Sequence, residues 1–380
     1  MLAFDVIKTD GKARLGRLTT PHGQADTPIF MPVGTAGTVK GVTPDQLAAA
    51  GARIILANTY HLMLRPGPQT VAAIGGLHAM MAWDGPILTD SGGYQVFSLA
   101  HLRKIGDEGV LFRSHIDGSE QFLTPRRSIE IQRLLGADII MQLDECPPAD
   151  ATRQAVEQAV ERSAAWAKAC KDAWQAPMNE LAGCHGVNGP QALFGIQQGG
   201  THADLRAASA EALVKLDLPG YAIGGLSVGE GHEAMAGVLE AIDGQLPADR
   251  PRYLMGVGEP RDIVAAVLRG VDMFDCVLPT RNGRNAEALT WQGRIRLRNA
   301  CWADDAKPLD ESCGCYTCRN FSRGTLRHLF MAKEMLGPTL ATIHNLHFFA
   351  DLMSALRQAV ADGNLAAAAE SMLQRIYQTP

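Results

Sequence analysis

Apolar and polar positions alternate from residue 4 to residue 18 around Asp10-Gly11, a pattern that predicts a β-hairpin. A second hairpin is predicted at Asp117-Gly118, between Val110-Leu111-Phe112 and Gln121-Phe122-Leu123. Between and beyond these the rhythm changes to a short apolar run, a polar or glycine-rich loop and an amphipathic helical stretch. Eight runs read as strands: 28–33, 53–57, 86–89, 138–143, 192–197, 221–224, 252–255 and 271–274. Helical patterns follow most of them, at 43–50, 125–135, 151–174, 202–216, 230–242 and 259–269. Thr43-Pro44 and Glu259-Pro260 are apt helix starts, because proline near the first helical position forfeits no intrahelical bond. Eight strand–helix units over roughly 250 residues predict an α/β chain folded as a (β/α)₈ TIM barrel. A doubly wound open sheet is the alternative, but its phosphate fingerprint GxGxxG opening a helix is absent.

A barrel builds its active site from loops at the strand C-termini, so chemistry-bearing residues should follow strands rather than precede them. Asp90-Ser91-Gly92-Gly93-Tyr94 follows the third strand, and Asp144-Glu145-Cys146 the fourth. Gln197-Gln198-Gly199-Gly200 closes the fifth, Gly224-Gly225-Leu226 the sixth, Gly256-Val257-Gly258 the seventh, and Asp275 the eighth. After Asp275 the chain breaks at Pro279 into what reads as a polar loop with Arg281, Gly283 and Arg284. The expected division is an N-terminal hairpin (1–27), a barrel holding the site (28–284), a metal-binding subdomain inserted after the eighth strand (285–345) and C-terminal helices packing on the barrel (346–380).

Bulk composition adds exclusions. The chain has 380 residues, 46% hydrophobic and 20% charged, with a net charge of −5. That balance argues against general coating of nucleic acid and says nothing about a local patch. Such a patch exists: between Arg281 and Lys333, ten Lys or Arg face only five Asp or Glu, the expected footprint of a phosphate backbone. The N-terminus lacks the apolar core of a signal peptide, and no run approaches a membrane span, so a cytoplasmic setting is expected. Cys146, Cys170, Cys184, Cys276 and Cys301 are scattered singly. Cys313, Cys315 and Cys318 crowd together instead, with His344 downstream. Three thiolates and one imidazole make a closed tetrahedral set for one structural Zn²⁺. By spacing alone, His347 competes with His344.

Asp90, Asp144 and Asp275 admit several chemistries. They could share a Mg²⁺ ion with a phosphate, or two of them could act on a glycosidic bond as nucleophile and acid/base. Buried strand-end carboxylates satisfied by backbone are the plainer alternative. Asp144 and Gln198 together offer acceptors and an amide, which suits the Watson–Crick edge of guanine.

Asp90-Ser-Gly-Gly-Tyr-Gln, Met141-Gln-Leu-Asp-Glu-Cys, Gly195-Ile-Gln-Gln-Gly, Gly224-Gly-Leu, Tyr253-Leu-Met-Gly-Val-Gly and Met273-Phe-Asp-Cys-Val-Leu-Pro-Thr-Arg resemble the tRNA-guanine transglycosylases. The cysteine cluster with His344 matches as well, and the resemblance runs over nearly the whole chain. It implies replacement of the wobble guanine in the anticodon loop of GUN-anticodon tRNAs by a 7-deazaguanine base, without ATP, through a covalent enzyme–ribose bond. It makes Asp275 the nucleophile and Asp90 the general acid/base. The base would lie among Asp90, Ser91, Gly92, Gly93, Tyr94, Asp144, Gln198, Gly225, Leu226 and Met255. Two loops would contact tRNA: Gly256, Val257, Gly258, Glu259, Pro260, Arg261 and Asp262, and then Thr280, Arg281, Asn282, Gly283 and Arg284. Zinc on Cys313, Cys315, Cys318 and His344, and a homodimer, are also implied. In the family a bulky residue at the position of Val228 goes with the aminomethyl base of prequeuosine, and glycine with queuine, so 7-aminomethyl-7-deazaguanine is expected. Rivals from other classes are a non-catalytic binding subunit and a barrel hydrolase of small nucleosides. Archaeal members carry extra C-terminal RNA-binding domains, which are not expected here because few residues follow His344.

Overall fold

The computed structural model describes residues 2–99, 103–177 and 190–377; Cys184 lies outside the described residues. All eight predicted barrel strands form: Ile29–Gly34, Ile55–Ala57, Ile87–Thr89, Ile139–Met141, Ala192–Gln197, Gly220–Ile223, Arg252–Leu254 and Met273–Cys276. Each pairs in parallel with the next, and the last pairs with the first, closing the barrel. Alternation along the strands sorts their side chains. Ile29, Met31, Val33, Ile139, Met141, Phe194, Ile196, Tyr253 and Met273 fill the interior. Phe30, Ile55, Ile87, Ile140, Leu193, Ile223, Leu254 and Phe274 point outward into the helix layer.

The six predicted helices are present, with bounds shifted by a few residues. Thr43 makes a full capping box with Gln46, and Thr124 and Thr152 cap the helices Pro125–Leu135 and Arg153–Gln175 through their hydroxyls. These hydroxyls satisfy amides that the first helical turn leaves without partners.

Both predicted hairpins form, and each gains a third strand that the alternation did not announce. Ala3–Asp10, Ala13–Thr20 and Gly23–Thr27 make an antiparallel sheet. Its Leu18 and Ala25 join the interior cluster and cover the barrel where its strands begin. Arg103–Gly106, Gly109–Arg113 and Glu120–Leu123 form the second sheet, inside the connection after the third barrel strand. Those short added strands are too polar to carry a period-2 signal, and pairing comes from their neighbours.

One expectation needs correction. Residues 280–284 are not a loop: Leu278–Arg284 is a helix. Pro279 sits in its first turn, where a missing N–H costs nothing. Gly283 packs so closely on the helix Leu336–Asp362 that a Cβ there would lie 2.7–2.9 Å from Thr342 atoms. Close packing therefore overrides the breaker reading of Pro and Gly.

Beyond Arg284 the chain builds a smaller lobe with its own core of Ala286, Ala288, Ile295, Leu297, Leu309, Leu326, Phe330, Leu340 and Ala341. The helix Leu336–Asp362 begins in this lobe and continues, through Leu346, Phe349, Leu352 and Leu356, into the main core around the barrel. One rigid rod thus ties the two bodies together.

Candidate active site

The C-terminal ends of the barrel strands gather the polar residues that the sequence placed after them. Asp275, on the eighth strand, accepts hydrogen bonds from the Tyr253 hydroxyl (2.6 Å) and the Gly256 amide (2.8 Å) through one oxygen. Both donors are neutral, and burial pushes the Asp275 carboxyl above the usual range. Asp90 follows the third strand. Its two oxygens accept from the Thr59 amide (2.8 Å) and the Asn58 side-chain amide (2.5 Å). Burial first, and then the charge of Asp275, raise its pKa to about 7 against the pull of the Thr59 bond. A buried carboxyl raised to about 7 by burial and a neighbouring carboxylate can give and take a proton near neutral pH.

Asp144, after the fourth strand, accepts from Gln198 Nε2 at 2.7 Å and weakly from Ser91 Oγ at 3.4 Å. Burial lifts it to about 6, although these bonds pull it down. Among the described residues, the Gln198 carbonyl oxygen is buried without a hydrogen-bond partner. It lies 2.4 Å from where a Cβ on Gly225 would stand, and the φ of +66° at residue 225 also favours glycine. An acceptor without a partner beside a carboxylate can take hydrogen bonds from a donor-bearing ligand.

Ser91 Oγ accepts from the Gly93 amide (3.1 Å), and Gly92 and Gly93 lie against Tyr60 and the Asp144 carbonyl, leaving no room for side chains. Tyr94 stands half exposed at the mouth, Leu226 is buried, and Met255 is partly buried against the interior cluster. In the Gly256–Asp262 stretch, Val257 is buried, Glu259 stands just before the helix Pro260–Val267 and pairs with Arg294 instead of capping it, and Asp262 pairs with His232 at 2.5 Å. On the helix Leu278–Arg284, Thr280 and Gly283 face inward, Asn282 donates to Glu287 (2.7 Å), and Arg281 is exposed. Arg284 lies one turn on, with a buried guanidinium nitrogen that has no partner among the described residues; burial, then the charge of Arg281, lowers its pKa.

Sequence reasoning missed several supporting residues. Asn58 and Thr59 follow the second strand, so the strand-end rule that found Asp90 reaches them too. Tyr253 hides inside an apolar strand, where only the register shows that it faces Asp275. Arg206 gave no signal within its helix. It is fully buried, and donates to the carbonyls of Gln197 and Gly200 at 2.9 Å and of Gly225 at 3.5 Å, bracing the two loops that carry Gln198 and Gly225. Glu230 accepts from the amides of Ser227 and Val228, the second at 2.9 Å, and so fixes how Val228 is presented.

The three aspartates do not form a common metal site. Among the described residues, the close groups of potential ligands are Cys313, Cys315, Cys318 and His344, and separately His22, His78 and Asp138. In the first group, His344 Nδ1 lies 3.6, 3.6 and 3.3 Å from the sulfurs of Cys313, Cys315 and Cys318. A tetrahedral zinc site sets its N···S edges at about 3.5 Å, so the cage fits. His344 Nε2 is bonded to the Leu289 carbonyl at 2.8 Å, which turns Nδ1 towards the thiols. His347 instead faces Asp351, so the choice that spacing left open falls to His344.

A closed (β/α)₈ barrel with buried carboxylates at its strand C-termini and a Cys₃His group able to hold a metal ion on an appended lobe defines a class: a barrel enzyme with an added lobe. A family model described as TGT, queuine tRNA-ribosyltransferase, matches residues 9–378. Proteins called queuine tRNA-ribosyltransferase are similar to this chain along almost its whole length. The Sphingopyxis alaskensis protein is 57% identical over 365 residues, covering 96% of both chains. The Moorella thermoacetica protein is 54% identical over 376 residues, covering 98% of both. The Staphylococcus aureus protein is 54% identical over 366 residues, covering 96% of this chain and 94% of its own. The chain belongs to the queuine tRNA-ribosyltransferase family, and is an enzyme of the tRNA-guanine transglycosylase class.

Proposed function

We propose that this enzyme exchanges the wobble guanine of GUN-anticodon tRNAs for 7-aminomethyl-7-deazaguanine, in queuosine biosynthesis, by double displacement. The observation that carries this reading is the pairing of Asp275 with Asp90: two buried carboxylates with neutral donors, the second raised to about 7 by burial and by the first. Asp275, ionised and aimed by Tyr253 and Gly256, bonds to C1′ of the ribose as the glycosidic bond breaks. Guanine leaves with a proton supplied by Asp90. The incoming base then gives a proton to the Asp90 carboxylate, attacks C1′ and releases Asp275. Two inversions give net retention, and each step is easier than a direct exchange. Asp144, the orphaned Gln198 carbonyl and the Gly225 backbone hold the hydrogen-bonding edge of the base, with Ser91, Gly92, Gly93 and Leu226 around it and Tyr94 and Met255 on its faces. An anticodon-loop target suits such an enzyme, since an unpaired base is extruded at lower cost.

Cys313, Cys315, Cys318 and His344 are proposed to hold one Zn²⁺ per chain. Bound there, the ion cross-links the lobe and leaves no open position for chemistry. Cys318→Ala should lose the metal and tRNA binding together; lost turnover with the metal retained would contradict a structural role. The division into N-terminal sheet, barrel, zinc lobe and C-terminal helices is proposed as the functional division too, with tRNA lying across the Gly256–Asp262 segment, the Arg281 helix and the basic lobe. A homodimer is proposed from the exposed Met331, Met335 and Leu336 on the same lobe, and sedimentation of the purified enzyme tests it. No described helix is long and apolar enough to cross a membrane, and action in the cytoplasm is proposed.

The deciding experiment incubates enzyme with unmodified tRNA and looks for an adduct on a denaturing gel. Wild-type enzyme should give one, and Asp275→Ala should give none while still shifting tRNA in a native gel. An equally abundant adduct in the variant would move the nucleophile elsewhere. A small-nucleoside hydrolase would shift no tRNA at all.

A further inference from the structure

At the end of the barrel opposite the active site, His22, His78 and Asp138 converge from three separate elements. His22 lies in the turn between Ala13–Thr20 and Gly23–Thr27, His78 on the helix Gly76–Met81, and Asp138 at the start of the fourth barrel strand. Their ligand atoms all lie within 4.8 Å of one another. His22 Nδ1 is 2.7 Å from one Asp138 oxygen, and His78 Nε2 is 3.3 Å from the other. The two imidazoles stack with centroids 3.6 Å apart and planes inclined by 19°, so both present a ring nitrogen to the same carboxylate. The Asp138 side chain is fully buried and further fixed by the Ile87 amide at 2.9 Å. His22 remains about a quarter exposed, which gives a solvent ion a way in.

We propose that these three residues form a second metal site, for a first-row divalent cation of the Zn²⁺ or Co²⁺ type. Two imidazoles and one carboxylate are the donor set such ions prefer, and a hard ion such as Mg²⁺ would be discriminated against. Tetrahedral N···O edges around zinc are about 3.4 Å, and the His78–Asp138 edge already has that length. His22 meets the other Asp138 oxygen at 2.7 Å, so to share an ion it must withdraw and turn out of its stack with His78, and it sits on a turn rather than in a packed strand. The site makes no contact with the catalytic carboxylates, which lie at the other strand ends, so its work is mechanical. It staples the N-terminal sheet and the helix Gly76–Met81 to the start of the fourth strand.

The test uses the full-length enzyme with its Cys₃His site already loaded with zinc. Co²⁺ is added in equilibrium dialysis and metal is counted per chain, with thermal unfolding followed in parallel. Wild-type protein should take up one further equivalent and unfold at a higher temperature with it. His22→Gln and His78→Gln should each weaken that uptake at least about tenfold while keeping the first zinc. His22→Gln sits on an exposed turn and guards against a failure to fold. The proposal is overturned if the loaded wild-type enzyme binds no second ion, or if the second ion survives both substitutions.

Discussion

The two ends of this barrel bury the same residue type to opposite purpose. Where the strands begin, Asp272 meets the Arg14 guanidinium on both oxygens and also accepts from the Arg252 amide at 2.7 Å. Asp138 at the same end has two imidazoles; burial pushes its carboxyl up, and the hydrogen bonds from His78 and His22 more than reverse that. Where the strands finish, Asp90, Asp144 and Asp275 have, among the described residues, only amides and hydroxyls as partners. A buried carboxylate paired with a guanidinium, as Asp272 is with Arg14, is a fastener, because neither charge can be removed without stranding the other. A buried carboxylate among neutral dipoles is held in an unfavourable state and gains from binding charge or losing a proton. Burial raises Asp272 and Asp275 alike, and what separates the two is that Asp272 has a guanidinium for a partner.

The sharpest way to break this contrast is to delete one aspartate from each end. Asp275→Ala should lower base exchange on the order of 10⁴–10⁶-fold, as loss of a covalent nucleophile does, while leaving the unfolding temperature unchanged or raised. Asp272→Ala should do the reverse. It strands the buried Arg14 and should cost about 3–5 kcal/mol of stability in denaturant unfolding, with kcat of the folded fraction kept. If Asp275→Ala unfolded the protein and Asp272→Ala did not, the assignment of the two ends would be inverted.

Asp90 sharpens the comparison through pH. Its pKa is about 7 in the native state and near 3.8 in the unfolded chain, so the native state holds a proton that the unfolded state has lost in between. Native stability therefore falls as pH rises from about 4 to about 7 and levels off above that. Asp90→Asn removes this contribution. Its stability advantage over wild type should be absent at acid pH and grow to a few kcal/mol by neutrality, read from paired urea titrations across that range. Asp144 titrates in both proteins and cancels in the difference. An advantage that is the same at all pH values would mean that Asp90 is not raised.

The smallest expected effect concerns the choice of base. Val228, held by Glu230 through its backbone amide, is proposed to occupy the space that a large 7-substituent would need. Val228→Gly should raise queuine incorporation by an amount equivalent to about 1–3 kcal/mol of relieved overpacking, and leave guanine exchange nearly intact. Equal damage to both bases would mean that Val228 merely supports the loop.

Much of this was legible along the chain. The eight strands announced themselves because each is a short apolar run between turn residues, and closure into a barrel follows from parallel pairing of successive units. Cys313, Cys315 and Cys318 were legible because thiolates spaced this closely have few other uses. Three things were not. The helix Leu278–Arg284 was hidden, since Pro279 and Gly283 break helices unless one falls in the first turn and the other faces a neighbour too near for a side chain. Arg206 and Tyr253 were hidden because local pattern does not show which backbone or side-chain groups a buried helix or strand position will face once the loops are packed.

What the sequence by itself determined was the order of elements and which residue types stand at each strand end, because both depend on local periodicity and turn chemistry. Only the tertiary structure decided that His344 rather than His347 joins the cysteines, that Gln198 turns one end to Asp144 and leaves the other unpartnered, and that His22 and His78 meet over Asp138. Those outcomes depend on helix phase, on loop packing and on contacts between residues more than fifty positions apart, and local pattern carries no record of them.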